Sequence, residues 1–216
     1  AQIDKACRRI LEAKYKLGLF KDPYKYCNED RSSKELFSAR NRTISREVAD
    51  ECQVLLKNEN NLLPLKKSGR IAVIGPLGDA AGDMPGCWSL TGKASQSVSL
   101  YQGLRAALGA NGTVSYAKGS NLVADSLLET KLNGMMGFVI PGMQTGKIHD
   151  RKPEVLMKEA LDLAKNSDVV IAALGENANM NGEGASRSNP DIPEPQMELL
   201  KSLVATGKPV VLVLFT

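Results

Sequence analysis

PEVLMKEALDLAKNSDVVIAALG, residues 153–175, is one complete repeat of the pattern that decides the fold: a helix, a short break, then a continuously apolar strand that stops at a glycine. The pattern recurs on both sides of it. Downstream, IPEPQMELLKSLVATG (192–207) reads as a helix and KPVVLVLF (208–215) as a strand. Upstream, YQGLRAALG (101–109) reads as a helix closed by Gly109, followed by a strand at 113–117. Further upstream, SARNRTISREVADECQVLLKNE (38–59) places Ile44, Val48, Cys52, Leu55 and Leu56 on one helical face, ahead of the apolar run IAVIG (71–75). Four helix–strand units predict one parallel sheet. The strands at 169–174 and 210–215 are apolar without interruption, as expected of strands covered on both faces, and right-handed crossovers put helices on either side. The expected class is α/β: a three-layer α/β/α sandwich with a mostly parallel sheet, preceded by a helix and a linker.

Two stretches fall outside this alternation. Residues 1–20 place Ile3, Cys7, Ile10, Leu11 and Tyr15 at helical spacing and stop at Gly18, giving a helix whose apolar face needs a cover. KDPYKYCNEDRSS (21–33) then loses periodicity, so residues 1–40 read as a linker. Residues 120–152 show neither period and read as an insertion or long surface loop. The last strand ends at Phe215-Thr216 without the turn a parallel strand feeds, and the first helix opens abruptly, so the chain is expected to be cut at both ends.

Composition narrows the function classes. With 43% hydrophobic and 24% charged residues the chain has an ordinary globular balance, and no apolar run approaches the roughly 20 residues of a membrane span. The net charge of +4 is spread among interleaved acids and bases, which argues against nucleic acid. Cys7, Cys27, Cys52 and Cys87 form no C-x-x-C pair and His149 is the single histidine, so no metal site is expected and the thiols read as free.

In open α/β sheets ligands collect beyond the carboxyl ends of the strands, here GPLGDAAGDMPGCWSLTGK (75–93), KGSNLVADS (118–126) and GENANMNGEGASRS (175–188). Gly75, Gly78 and Gly82 miss the G-x-G-x-x-G spacing. Gly86 to Gly92-Lys93-Ala94 misses the P-loop by one residue and by its alanine, so neither nucleotides nor another cofactor is expected. There is no G-x-S-x-G, and His149 sits on a poorly structured stretch, so a nucleophile–histidine pair is a weak reading. Carboxylates remain. Glu176 follows the strand's last glycine, and Glu183 lies between Gly182 and Gly184 on a loop able to project it away from the sheet. Such an acid can protonate a leaving group if burial or a second carboxylate raises its pKa. On the residues alone, two solvated loop glutamates explain the pattern as simply.

The ordered set RRILEAKYKLGLFKDPY (8–24), SREVADECQVLLKNENNLLPL (45–65), IAVIGPLGD (71–79), GCWS (86–89), DVVIAALGE (168–176), GEGASRS (182–188) and GKPVVLVLF (207–215) resembles glycoside hydrolase family 3, and within it most closely the periplasmic bacterial β-glucosidases. The resemblance implies that residues 1–40 are the last helix of an N-terminal (β/α)8 barrel and the interdomain linker. It implies that residues 41–216 are the family's C-terminal α/β sandwich domain, truncated at its C-terminus. It implies a retaining exo-β-glycosidase whose aspartate nucleophile lies on the barrel, so that this chain by itself is expected to be inactive. Glu183 matches the general acid/base, Glu176 a supporting residue of the post-strand pair, and Trp88 an aromatic that stacks on the leaving-group sugar. A lone tryptophan is equally a core residue. Arg187 is expected to brace the loop or pair with Glu176. The implied partners are a β-linked oligosaccharide or glucoside and the barrel of the same parent chain, and the implied compartment is the periplasm or the exterior. A β-xylosidase of the same family and a non-catalytic carbohydrate-binding module are the alternatives. One departure stands out: Asn189 occupies a position where relatives commonly carry aspartate.

Overall fold

The chain divides into two units, Ala1–Glu59 and Asn60–Thr216, so the helix read at 38–59 belongs to the first. The computed structural model describes residues 1–89, 94–139, 151–183 and 185–216. His149, Gly184 and the Gly92-Lys93 pair lie outside the described residues.

The first unit holds three helices: α1 (Gln2–Lys16), α2 (Glu29–Glu35) and α3 (Ala39–Glu51). Gly18 ends α1 in a Schellman arrangement, with Leu19 N–H donating to the Lys14 carbonyl and Gly18 N–H to that of Tyr15. Asn28 caps α2 by accepting the Asp30 N–H, and Ser38 caps α3 by accepting that of Asn41. The apolar stripe of α1 is real and uncovered, with Ile3 and Tyr15 about three-quarters exposed. The expected face of α3 is cut short. The helix ends at Glu51, and Leu55 and Leu56 lie beyond it on irregular, exposed backbone. Most helical stability comes from packing an apolar face, and α3 buries no residue to hold another turn.

The second unit runs β1 (Gly69–Ile74), α4 (Leu100–Leu108), β2 (Gly112–Ala117), α5 (Ser126–Val139), α6 (Pro153–Lys165), β3 (Val169–Gly175), α7 (Glu194–Val204) and β4 (Val210–Phe215). The strands form a four-stranded parallel sheet in the order β2-β1-β3-β4. Leu156, Ala160 and Ala164 of α6 and Leu199 and Leu203 of α7 bury against Ala72, Ile74, Val170, Ala172 and Leu174 on one face. Leu108 of α4, with Leu100, Tyr101 and Leu104, covers Ile71, Val73 and Ile171 on the other. Each fully buried leucine contributes about 1.5–3 kcal/mol relative to its exposed state. This is the three-layer α/β/α sandwich.

Two expectations are corrected. Residues 120–152 are not one loop, because 126–139 form α5. Asp125 caps it by accepting the N–H groups of Leu127 and Leu128, and the buried Glu129 carboxylate turns back to accept those of Leu122 and Val123. Gly134 and Gly137 blur the helical pattern there, since glycine is the weakest helix former after proline. The second correction concerns β4, which is not covered on both faces. Among the described residues it pairs only with β3, and while Val211 and Val213 pack on the α4 side, Leu212 and Leu214 are about 40% exposed on the other. An edge strand of the described sheet lies beyond the reach of the helix layer that buries its neighbour β3.

Candidate active site

From β1 the chain moves outward to β2 and later crosses back to lay β3 on β1's other side. The strand order therefore reverses between β1 and β3, the place in an open α/β sheet where the loops from the carboxyl ends usually frame a ligand site. These are the two loops that carry Trp88 and Glu183.

The β3 loop is anchored at its root. Gly175 has φ +128°, and a β-carbon there would lie 2.0 Å from the Phe215 carbonyl oxygen, so only glycine lets the chain leave the sheet at this point. Gln196, fully buried near the start of α7, completes the hydrogen bonding of that glycine. Its Oε1 accepts the Gly175 N–H at 2.8 Å, and its Nε2 donates to the carbonyls of Gly175 and Leu122 at 3.0 and 2.8 Å. The third loop, 118–125, is packed rather than open, with Ser120, Asn121, Leu122 and Val123 all buried.

Beyond Gly175 the loop is closed by its own side chains. The Glu176 carboxylate pairs with the Arg187 guanidinium, and Arg187 Nη2 also donates to the Asp191 carbonyl at 2.6 Å. Asn189 Oδ1 accepts the Asp191 N–H at 3.0 Å. An amide oxygen is able to accept this N–H as a carboxylate is. Asn177, buried, accepts the Asn179 N–H at 3.2 Å and turns the chain back toward β1. Arg187 also lines a mostly apolar cleft of about 490 Å³ with Val123, Leu128, Met180, Pro193 and Glu194.

The two loops then meet. Asp83, in a 3₁₀ turn of the β1 loop, accepts the Ala178 N–H at 3.0 Å, and Cys87 Sγ lies 3.4 Å from Asn181 Oδ1. A β-carbon at Gly182 would fall 2.7 Å from Cys87 Sγ and 3.8 Å from Trp88 Nε1. Trp88 is 67% exposed, and its indole stands beside the residue that precedes Glu183. Glu183 is exposed. An exposed carboxyl on such a loop is chemically able to exchange a proton with a bound molecule.

Sequence reasoning missed three residues here: Asp83, Cys87 and Gln196. Burial pushes the Asp83 carboxyl up to about 6, against the opposing pull of the Ala178 N–H. No spacing rule marks Asp83, which hides in a loop searched for phosphate-binding glycines. Gln196 had a readable signal, a polar side chain in IPEPQMELL where α7 turns its apolar face inward. All four cysteines are free, Cys87 half-buried and the others exposed.

Residues 53–216 match the sequence model of the glycosyl hydrolase family 3 C-terminal domain. The chain belongs to glycosyl hydrolase family 3. It is 43% identical to the periplasmic beta-glucosidase of Salmonella typhimurium over 99% of this chain and 28% of that protein. A beta-xylosidase of Formosa agariphila is 35% identical over 98% of the chain and 26% of its own length. Among solved structures, the beta-glucosidase of Listeria innocua in complex with gluconolactone superposes with a TM-score of 0.72 at 29% identity, covering 96% of this chain and 24% of that one. The chain thus spans about a quarter of the length of these family 3 relatives.

Proposed function

We propose that this family 3 domain works as the acid/base half of a retaining exo-β-glycosidase, most closely a β-glucosidase. Glu183 is the general acid/base in this reading. The nucleophilic aspartate comes from an N-terminal (β/α)8 barrel of the same parent protein. A retaining glycosidase needs two carboxyls about 5 Å apart on either side of the scissile bond, and a loop leaving the sheet at the switch point is able to present one of them to a neighbouring domain. Glu183 protonates the glycosidic oxygen as the bond to the sugar breaks, then takes a proton from the water that hydrolyses the glycosyl-enzyme. Trp88 stacks on the leaving-group sugar, while Arg187 and Glu176 brace the loop. The substrate is a β-linked oligosaccharide or glucoside, and the compartment is the periplasm or the exterior, by likeness to the Salmonella relative.

The observation that carries this reading is the convergence of the Trp88 turn on Gly182, one residue before Glu183, at the carboxyl ends of β1 and β3. In the parent glycosidase, Glu183→Ala should cripple hydrolysis of glucosides with poor leaving groups. On a dinitrophenyl glucoside, whose leaving group departs without a proton, azide should speed turnover by attacking the glycosyl-enzyme in place of base-activated water. An unchanged rate would remove Glu183 from the role. The 216-residue chain alone should not turn over an aryl β-glucoside, and measurable turnover would show that no partner domain is needed. A β-xylosidase is the second reading, favoured by the Formosa relative, and rates on paired aryl glucosides and xylosides separate the two.

A further inference from the structure

Glu183 sits on an exposed stretch, yet a general acid must stay within hydrogen-bond reach of the atom it protonates, and a displacement of about 1 Å can cost 100-fold in rate. Beside the Arg187–Glu176 pair that ties the loop's ends, the residues just before Glu183 supply restraint. Segment 178–182 is held at both ends by side chains of the other loop. At one end the Asp83 carboxylate takes the Ala178 N–H at 3.0 Å. At the other, Cys87 Sγ is 3.4 Å from Asn181 Oδ1 and packs so closely on Gly182 that no β-carbon fits. Gly182 itself has φ +97°, which side-chain-bearing residues rarely adopt.

The Asp83 and Cys87 side chains share one short stretch, tied by the Asp83 N–H to the Ala80 carbonyl and by the Gly86 N–H to that of Asp83. Trp88 follows Cys87 directly, so a single turn sets the positions of the indole and of the glutamate's support.

We propose that Asp83 and Cys87 are positioning residues for Glu183, clamping the two ends of segment 178–182 so that the proton donor and the Trp88 platform keep a fixed mutual geometry. This rests on the reading of Glu183 as the general acid/base. In this role they act through the segment they hold. Asp83→Ala removes the acceptor of a buried N–H and frees one end of the segment, whereas Asp83→Asn keeps an oxygen in place. Gly182→Ala forces the other end away from Cys87.

The test measures kcat/KM in the glycosidase that carries this chain, on a dinitrophenyl β-glucoside, whose leaving group needs no proton, and on an alkyl β-glucoside, whose leaving group does. Asp83→Ala and Gly182→Ala should lose about tenfold or more on the alkyl substrate and about twofold or less on the dinitrophenyl one, the mark of a misplaced acid. Asp83→Asn should restore most of the loss. Equal losses on both substrates, or none, would overturn the proposal. Glu183→Ala is assayed alongside. If it shows no leaving-group dependence, the acid/base reading itself fails; if it does while Asp83→Ala and Gly182→Ala do not, only the clamp fails. Should Asp83→Ala not fold, Gly182→Ala, at an exposed position, decides the question by the same comparison of substrates.

Discussion

Arg187 and Glu176 stand eleven positions apart on one loop and hold each other through an ion pair in which each side chain is 24% exposed. The same guanidinium reaches the Asp191 carbonyl, so one side chain ties both ends of the loop that carries Glu183. Arg187→Ala leaves a largely shielded carboxylate without its partner and should destabilise the fold by about 1–3 kcal/mol. Arg187→Lys should recover only part of this, because an ammonium cannot span two acceptors with the geometry of a planar fork. Urea unfolding of the three proteins measures it, and equal midpoints would mean the pair is only decorative.

Asp83 gives stability an unusual pH dependence. Its folded pKa, about 6, lies above the ordinary aspartate value of about 3.9, so between those values the folded state binds more protons than the unfolded one. Its contribution is favourable at low pH and is lost as pH rises from about 4 to 6. Asp83→Asn removes that loss. It should stabilise the chain by up to about 3 kcal/mol at pH 8 and by nothing at pH 3.5. A mutant difference that does not vary with pH would contradict the buried-carboxyl account.

Gln196 serves three backbone groups from one buried amide. Gln196→Ala strands the Gly175 N–H and leaves the Gly175 and Leu122 carbonyls short of a donor, with an expected cost of about 3 kcal/mol or more. Hydrogen exchange at Gly175 should quicken by a larger factor than at Val170, deeper in the same strand. Uniform acceleration along β3 would place the damage elsewhere.

At the opposite end of the sheet, Arg70 holds the Asp168 carboxyl down to about 2 through two side-chain contacts and its own N–H. A depressed carboxylate favours the folded state above its unfolded pKa of about 3.9, and that contribution fades as pH falls toward 2. Arg70→Gln should return the Asp168 titration, followed by its carboxyl carbon resonance, toward the ordinary value. No movement would mean that the backbone N–H alone depresses it.

The layers of the sandwich were legible because apolar runs bounded by glycine and amphipathic helices are local patterns, and DVVIAALG displays one within eight residues. Helix α5 was not, since its marks are a capping aspartate and a glutamate that folds back onto Leu122 and Val123, visible only once the chain has turned. The exposure of Leu212 and Leu214 was hidden for another reason: an apolar strand reads alike at the centre and the edge of a sheet, and only strand order tells them apart. At the site, Glu183 was marked by its flanking glycines and by the family resemblance. Asp83 and Cys87 matter through partners on a distant loop, and nothing in their own neighbourhood announces that.

The approach of Cys87 to Asn181 spans 94 positions, and α4, β2, α5 and α6 all lie within the interval. No local folding event brings those two residues together; they meet only after β3 has docked on β1. Contacts of such sequence separation are made late in folding, because the chain entropy lost in closing the interval precedes any return from it. The meeting of the two loops should accordingly come last, after the sheet beneath them. The same arithmetic makes the closure tolerant of length: doubling the interval would raise its entropic cost by only about 0.6 kcal/mol.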